Sequence, residues 1–151
     1  MKRFILVLSV AIGIVGGGMA IADKKVSMEG IKCVVSGAAA KEENAVSYLD
    51  GKVYFCCDKC PKKFEADKAA YATKANHQLV ATKQYEQGAC PFSGGKLDAE
   101  TAIEVDGVKV AFCCNNCKGK AEKMKDNEKL KDIFGEKPFE KAKFAKAKTS
   151  E

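Results

Sequence analysis

The chain has 151 residues, with 26 Lys and Arg against 20 Asp and Glu, eight Cys, one His and a formal net charge of +6. Its only arginine is Arg3, so the mild basic excess lacks the bidentate donors on which base readers rely, and nucleic-acid binding is set aside. One histidine and scattered carboxylates offer no repeated acid–base pair, which argues against an enzyme.

In chain order, the first segment reads as an address. Lys2 and Arg3 precede an apolar run from Phe4 to Val15, a Gly16-Gly17-Gly18 hinge and the small residues of Ala20-Ile21-Ala22. This is the pattern of a secretory signal over residues 1–22, cleaved after Ala22. The apolar run falls short of the about 20 residues a bilayer span requires, so no stable membrane anchor is expected after cleavage and the product is periplasmic or secreted. Its 129 residues keep 24 basic and 20 acidic side chains, a net charge of +4.

Residues 23–32 form a polar lead-in. Cys33-Val34-Val35-Ser36-Gly37 then opens a unit that recurs as Cys90-Pro91-Phe92-Ser93-Gly94. In each, a glycine able to take unusual backbone angles comes soon after the cysteine and holds it in a tight turn. Ala38 to Asn44 and Gly95 to Glu100 read as loops. Asp50-Gly51 and Asp106-Gly107 then signal two-residue hairpin turns. With the turns placed there, Val46 faces Phe55 and Tyr48 faces Val53 in the first hairpin. In the second, Ile103 faces Val110, Val105 faces Val108, and Glu104 pairs with Lys109 on the wet side.

Each hairpin runs into a cysteine cluster, Phe55-Cys56-Cys57-Asp58-Lys59-Cys60 and Phe112-Cys113-Cys114-Asn115-Asn116-Cys117. All four cysteines of the first set recur 57 residues later, and in both sets the lone leading cysteine stands 23 positions before the first of the cluster. Helical spacing comes next, over Lys62 to Ala75 and over Lys118 to Phe134, with Gly135 as a stop. A bridge, residues 76–89, separates the units 33–75 and 90–135. The tail, 136–151, carries Phe139 and Phe144 among lysines and reads as a final amphipathic helix. His77 reads as an exposed polar residue of the bridge. The fold class is therefore α+β, with two tandem small units, each a β-hairpin, a cysteine knuckle and a helix. Units of about 55–60 residues are marginal without a metal or a disulfide.

Thiolates in this arrangement suit soft or borderline metals, zinc and Cu(I) above all. The spacing of Cys33, Cys56 and Cys60, repeated by Cys90, Cys113 and Cys117, resembles the TRASH domain and the related YHS domain. Gly51-Lys52-Val53-Tyr54-Phe55-Cys56, then Cys60 and Phe64, resembles their hairpin and closing aromatic; the second unit keeps Cys90-Pro91, Phe112-Cys113 and Cys117 but has Ala121 where the aromatic belongs. The resemblance covers Cys33 to Phe64 and Cys90 to Ala121. It implies a treble-clef-like fold and a metal-sensing or metal-trafficking role, with copper and other heavy metals as cargo. Cys57 and Cys114 are additional to that pattern, as a fourth ligand or an exchange thiol.

The expected function is thus exported heavy-metal binding for buffering, trafficking or resistance, with one zinc or Cu(I) per unit and a protein partner for metal transfer. Two alternatives stay open. Outside the cytosol, eight cysteines also fit a disulfide-stapled interaction module, and Cys57-x-x-Cys60 fits a thiol-disulfide oxidoreductase.

Overall fold

The computed structural model describes residues 26–148, and the expected signal segment lies outside them. Eleven elements run in order: β1 (Lys41–Tyr48), β2 (Gly51–Phe55), α1 (Lys59–Ala66), α2 (Lys68–Ala81), β3 (Tyr85–Glu86), β4 (Asp98–Val105), β5 (Val108–Phe112), α3 (Asn115–Glu122), α4 (Asp126–Phe134), α5 (Glu136–Lys141) and β6 (Ala145–Lys146). The class is α+β, with antiparallel pairs β1–β2, β4–β5 and β3–β6.

The second hairpin has the expected register: Ile103 opposite Val110, Glu104 opposite Lys109, Val105 opposite Val108. Asp106 and Gly107 both carry positive φ, 45° and 82°, which their small polar and absent side chains tolerate. The first hairpin departs from expectation. Val46 pairs with Val53 and Tyr48 with Gly51, so the turn is Leu49-Asp50 rather than Asp50-Gly51. The reason lies in packing. A side chain at position 51 would meet Leu79 Cδ2 at 2.7 Å and Gln84 Oε1 at 3.0 Å, so Gly51 serves as a strand residue pressed against these two side chains and Leu49 takes the left-handed position at φ 50°. The two turns then sit 57 residues apart, like the cysteines, and no compensating length change is needed inside either unit. Both strands also begin before the bulge, at Lys41 opposite Phe55 and Asp98 opposite Phe112, within segments expected to be loops.

The single helix expected over Lys62 to Ala75 is two. Asp67 adopts a non-helical conformation, its backbone N–H bonds Lys63 O, and its carboxylate caps α2 by accepting from Ala70 N at 3.1 Å. Helix α2 then runs on to Ala81, through the segment read as a bridge. The second helical stretch is likewise divided into α3 and α4, and Gly135 ends α4. The tail is corrected as well: after α5 the chain extends as β6, pairing Ala145 with Glu86 and Lys146 with Tyr85. Phe139 and Phe144 stack at 4.6 Å between ring centroids and are both buried, and Phe144 also meets Phe134. An isolated helix with two such rings on it would leave them wet; folding back buries them, at about 1.5–3 kcal/mol each.

One continuous core joins everything, from Val34 and Phe55 through Leu79 to Phe112, Phe134 and Phe144. Neither hairpin has a third strand. Side-chain amides from the α2 region take its place along the outer strands. Gln78 accepts from Tyr54 N at 2.6 Å and donates to Tyr54 O at 2.9 Å and Lys32 O at 2.8 Å. Gln84 does the same for Lys52, at 2.7 Å in both directions. Gln87 accepts from Ala111 N at 2.9 Å and donates to Ala111 O at 2.8 Å. A primary amide carries one donor side and one acceptor side, so it reproduces the pairing that a neighbouring strand would give.

His77 is not an exposed bridge residue. Its ring meets Phe134 edge-on at 4.9 Å, its Nε2 lies 3.4 Å from Val105 O, and burial lowers its pKa.

Candidate metal centres

Each cysteine set is assembled from three pieces whose local geometry comes from sequence. The first piece is the leading turn. Gly37 N donates to Cys33 O at 2.8 Å and Cys33 N to Ala38 O at 2.7 Å; in the repeat Gly94 N donates to Cys90 O at 2.7 Å and Cys90 N to Gly95 O at 2.9 Å. The turn closes because Gly37 and Gly94 sit at φ 75° and 74°, where a β-carbon would be strained. The second piece is the end of the hairpin, which delivers Cys56 and Cys113. The third is the first turn of α1 or α3, which carries Cys60 and Cys117.

These pieces bring three sulfurs together in each half. The Sγ atoms of Cys33, Cys56 and Cys60 all lie within 4.8 Å of one another, and so do those of Cys90, Cys113 and Cys117. Cys56 and Cys60 are 3.7 Å apart, as are Cys113 and Cys117. A tetrahedral thiolate site with metal–sulfur bonds of about 2.3 Å holds its sulfurs about 3.8 Å apart, so the residues fit an ion with bonds of that length. All eight cysteines are free thiols. Cys57 and Cys114 stand outside the triads and are exposed; Cys57 Sγ is 3.8 Å from that of Cys56 and 3.7 Å from that of Cys60, and Cys114 Sγ is 3.7 Å from that of Cys113.

The protonation pattern is the same twice. Burial works against the charged form of Cys33, but the Ser36 hydroxyl and the backbone N–H groups of Ser36, Cys56 and Val35 outweigh it, lowering the thiol to about 6. Cys90 is lowered to about 6 in the same way, with Ser93, Cys113 and Phe92 as donors. Burial pushes Cys60 up to about 12, aided by hydrogen bonds with the sulfurs of Cys56, Cys57 and Cys33. Cys117 is also pushed up to about 12, by burial and by the sulfurs of Cys113 and Cys90. Each triad therefore pairs an anionic sulfur with a proton-holding one. Each serine bridges two pieces of its site: Ser36 Oγ lies 3.2 Å from Cys56 Sγ and accepts from Ala38 N, while Ser93 Oγ lies 3.1 Å from Cys113 Sγ and accepts from Gly95 N.

The aromatic missing from the second half is replaced from the opposite side. In the first half Phe64, one turn after Cys60, packs on Phe55 at 5.5 Å. In the second, Ala121 holds the corresponding position, and Phe92 stacks on Phe112 at 5.4 Å with the Lys120 ammonium 4.6 Å from its ring centre. Phe92 corresponds to Val35, so small and large residues have exchanged ends of the site. Sequence reading missed this exchange, the serine bridges and the glutamine braces. The first was detectable by aligning the halves at the 57-residue offset.

His77 lines a cleft of about 260 Å³ behind Cys33, together with Lys32, Lys74 and Asp106, and takes no part in either triad. Lys32 and Asp106 are bonded at 2.9 Å. No protein family, curated protein or solved structure matches this chain.

Proposed function

We propose that this protein is an exported heavy-metal-binding protein that holds one soft metal ion, zinc or Cu(I), at each of its two cysteine triads. The observation that carries the reading is the pair of triads itself. Two sets of three sulfurs, 57 residues apart, converge within 4.8 Å on the same three kinds of scaffold piece. Thiolate-only coordination selects soft and borderline ions over the hard cations that favour carboxylates and water. Buffering, trafficking or resistance are the roles such a binder serves, and the TRASH/YHS-like spacing and signal-like leader support the same reading. The chain is read as a carrier and not as an enzyme, with a treble-clef-like unit around each triad.

The test is direct. The protein isolated from an export-competent host is assayed for bound metal and reactive thiols, before and after chelation and with added zinc or Cu(I). Two ions per chain, lost when Cys56→Ser and Cys113→Ser are combined, is the expected result. Absence of metal uptake by a fully reduced chain refutes the reading. Absence of both metal and reactive thiols in the isolated protein supports the disulfide-stapled module instead.

A further inference from the structure

We propose that Cys57 and Cys114 are transfer thiols, through which a metal ion held by the inner three sulfurs passes to a thiol-bearing acceptor. This rests on the reading of the triads as metal sites and assigns a distinct task to the sulfurs outside them.

The four sulfurs of the first half are graded by depth. Cys33 is 1 % exposed and Cys60 7 %, Cys56 is half-buried, and Cys57 is exposed. Depth alone would make Cys57 a surface thiol of no interest. Its position removes that reading, because it lies 3.8 and 3.7 Å from two of the three triad sulfurs. It is placed there by the junction of hairpin and helix, since Cys60 N donates to Cys57 O at 3.2 Å and closes the turn beneath it. The second half repeats the placement: Cys114 is exposed, 3.7 Å from Cys113 Sγ, and its carbonyl accepts from Lys118 N at 3.1 Å. A structural site that keeps its ion closes with four protein ligands. A triad with an adjoining outward sulfur presents instead one coordination position at which ligands can change places.

The step is ligand substitution without electron transfer. An acceptor thiolate forms a bond to the metal as the bond to Cys57 (or Cys114) breaks, and the departing thiolate remains or takes a proton from water. Repetition at the inner sulfurs moves the ion to the acceptor, which loses as many thiol protons as this protein regains. The acceptor is a dithiol by chemical class, either a small molecule or a paired-cysteine segment of a protein.

The experiment uses the full chain without its leader, loaded with zinc, and its Cys57→Ser/Cys114→Ser variant. Metal remaining on the protein is measured by rapid size separation after mixing with dimercaptopropanol, with a short Cys-x-x-Cys peptide, or with the thiol-free chelator EDTA. The expected result is two zinc ions on both proteins, a transfer rate to either dithiol that rises with its concentration, and a drop of tenfold or more in the double variant. Loss to EDTA should differ between the proteins by less than about threefold, since substitution by a carboxylate chelator does not need the outer thiol. The faster of the two dithiols identifies the source of the acceptor. Equal dithiol rates in the two proteins overturn the proposal, and so does a variant that binds fewer than two ions, because Cys57 and Cys114 are then closing ligands. Serine at an exposed site leaves the core intact, and Cys57→Ala/Cys114→Ala must give the same outcome. A parent chain that takes up no zinc refutes the triad reading at the loading step, before transfer is measured, and the transfer proposal with it.

Discussion

Replacing Phe64 by alanine separates the part of the first site that is packing from the part that is coordination. Phe64 is fully buried and touches three rings, Tyr48 at 5.4 Å, Phe55 at 5.5 Å and Tyr71 at 6.4 Å between centroids. Truncating such a residue costs about 3–5 kcal/mol, from lost transfer energy and the cavity left behind. Phe92, its counterpart in the second half, is only partly buried and stacks on one ring, so Phe92→Ala should cost about 1–2 kcal/mol. Urea unfolding of the chelator-treated proteins, monitored by far-ultraviolet circular dichroism, measures both losses, and the larger one is a sizeable part of the stability of an ordinary domain. Cys60 lies on the same buried face of α1, one turn before Phe64. Phe64→Ala should therefore also loosen the first triad, speed alkylation of its thiols and leave the second triad as it was. Metal at a thousandfold excess over its dissociation constant adds about 4 kcal/mol to the folded state, so loading should restore most of the lost stability. Equal losses for the two variants, or a Phe64→Ala protein whose first-site affinity is unchanged, would refute the claim that this ring holds Cys60 in place.

Gln78→Ala removes three bonds to backbone groups, with the side chain only 3 % exposed, and should cost about 2–4 kcal/mol by the same unfolding assay. Gln87→Ala should cost less, because water reaches that half-buried position and can replace the amide. Leu49→Gly should raise stability by up to about 1 kcal/mol, since it relieves a left-handed backbone at a side chain that is 58 % exposed; a fall in melting temperature would contradict the turn assignment. Metal loading should release protons. Cys60 and Cys117, pushed up to about 12, hold theirs at neutral pH, so each site should release at least one between pH 7 and 8. Cys33 and Cys90 stay ionised until the pH falls through about 6; below that their reprotonation should steepen the loss of affinity toward tenfold per pH unit per added proton. Calorimetric titration in two buffers of different ionisation enthalpy counts these protons, and a pH-independent affinity between 5 and 8 would contradict the assignment.

The cysteine triads were legible because ligand spacing is a local property that survives duplication unchanged. The second hairpin was legible for a similar reason, since Asp106-Gly107 matches the turn it makes. Asp50-Gly51 carries the same signal and misleads. Its glycine is required by Leu79 and Gln84, long-range neighbours that no local pattern contains. The glutamine braces left no periodic trace either, because one amide satisfies a backbone 24 residues away without altering the apolar spacing around it. The fold-back of the tail depended on Tyr85, whose ring packs on Phe139 and whose hydroxyl accepts from Asp50 N at 3.0 Å, again a contact set by topology.

Those glutamines also bear on how the chain can be cut. The cysteines repeat at a fixed interval, but the braces do not: Gln78 and Gln84 serve the first hairpin and Gln87 the second, all from one short stretch between the halves. A fragment ending at residue 75 or beginning at residue 90 would keep its thiols and lose its brace. Its outer strand would present bare N–H and C=O groups to any other chain, the arrangement that seeds edge-to-edge association. Duplication here has copied the ligands without copying modularity, and a single half excised as a miniature metal binder would need a new amide built against its open edge to stay monomeric.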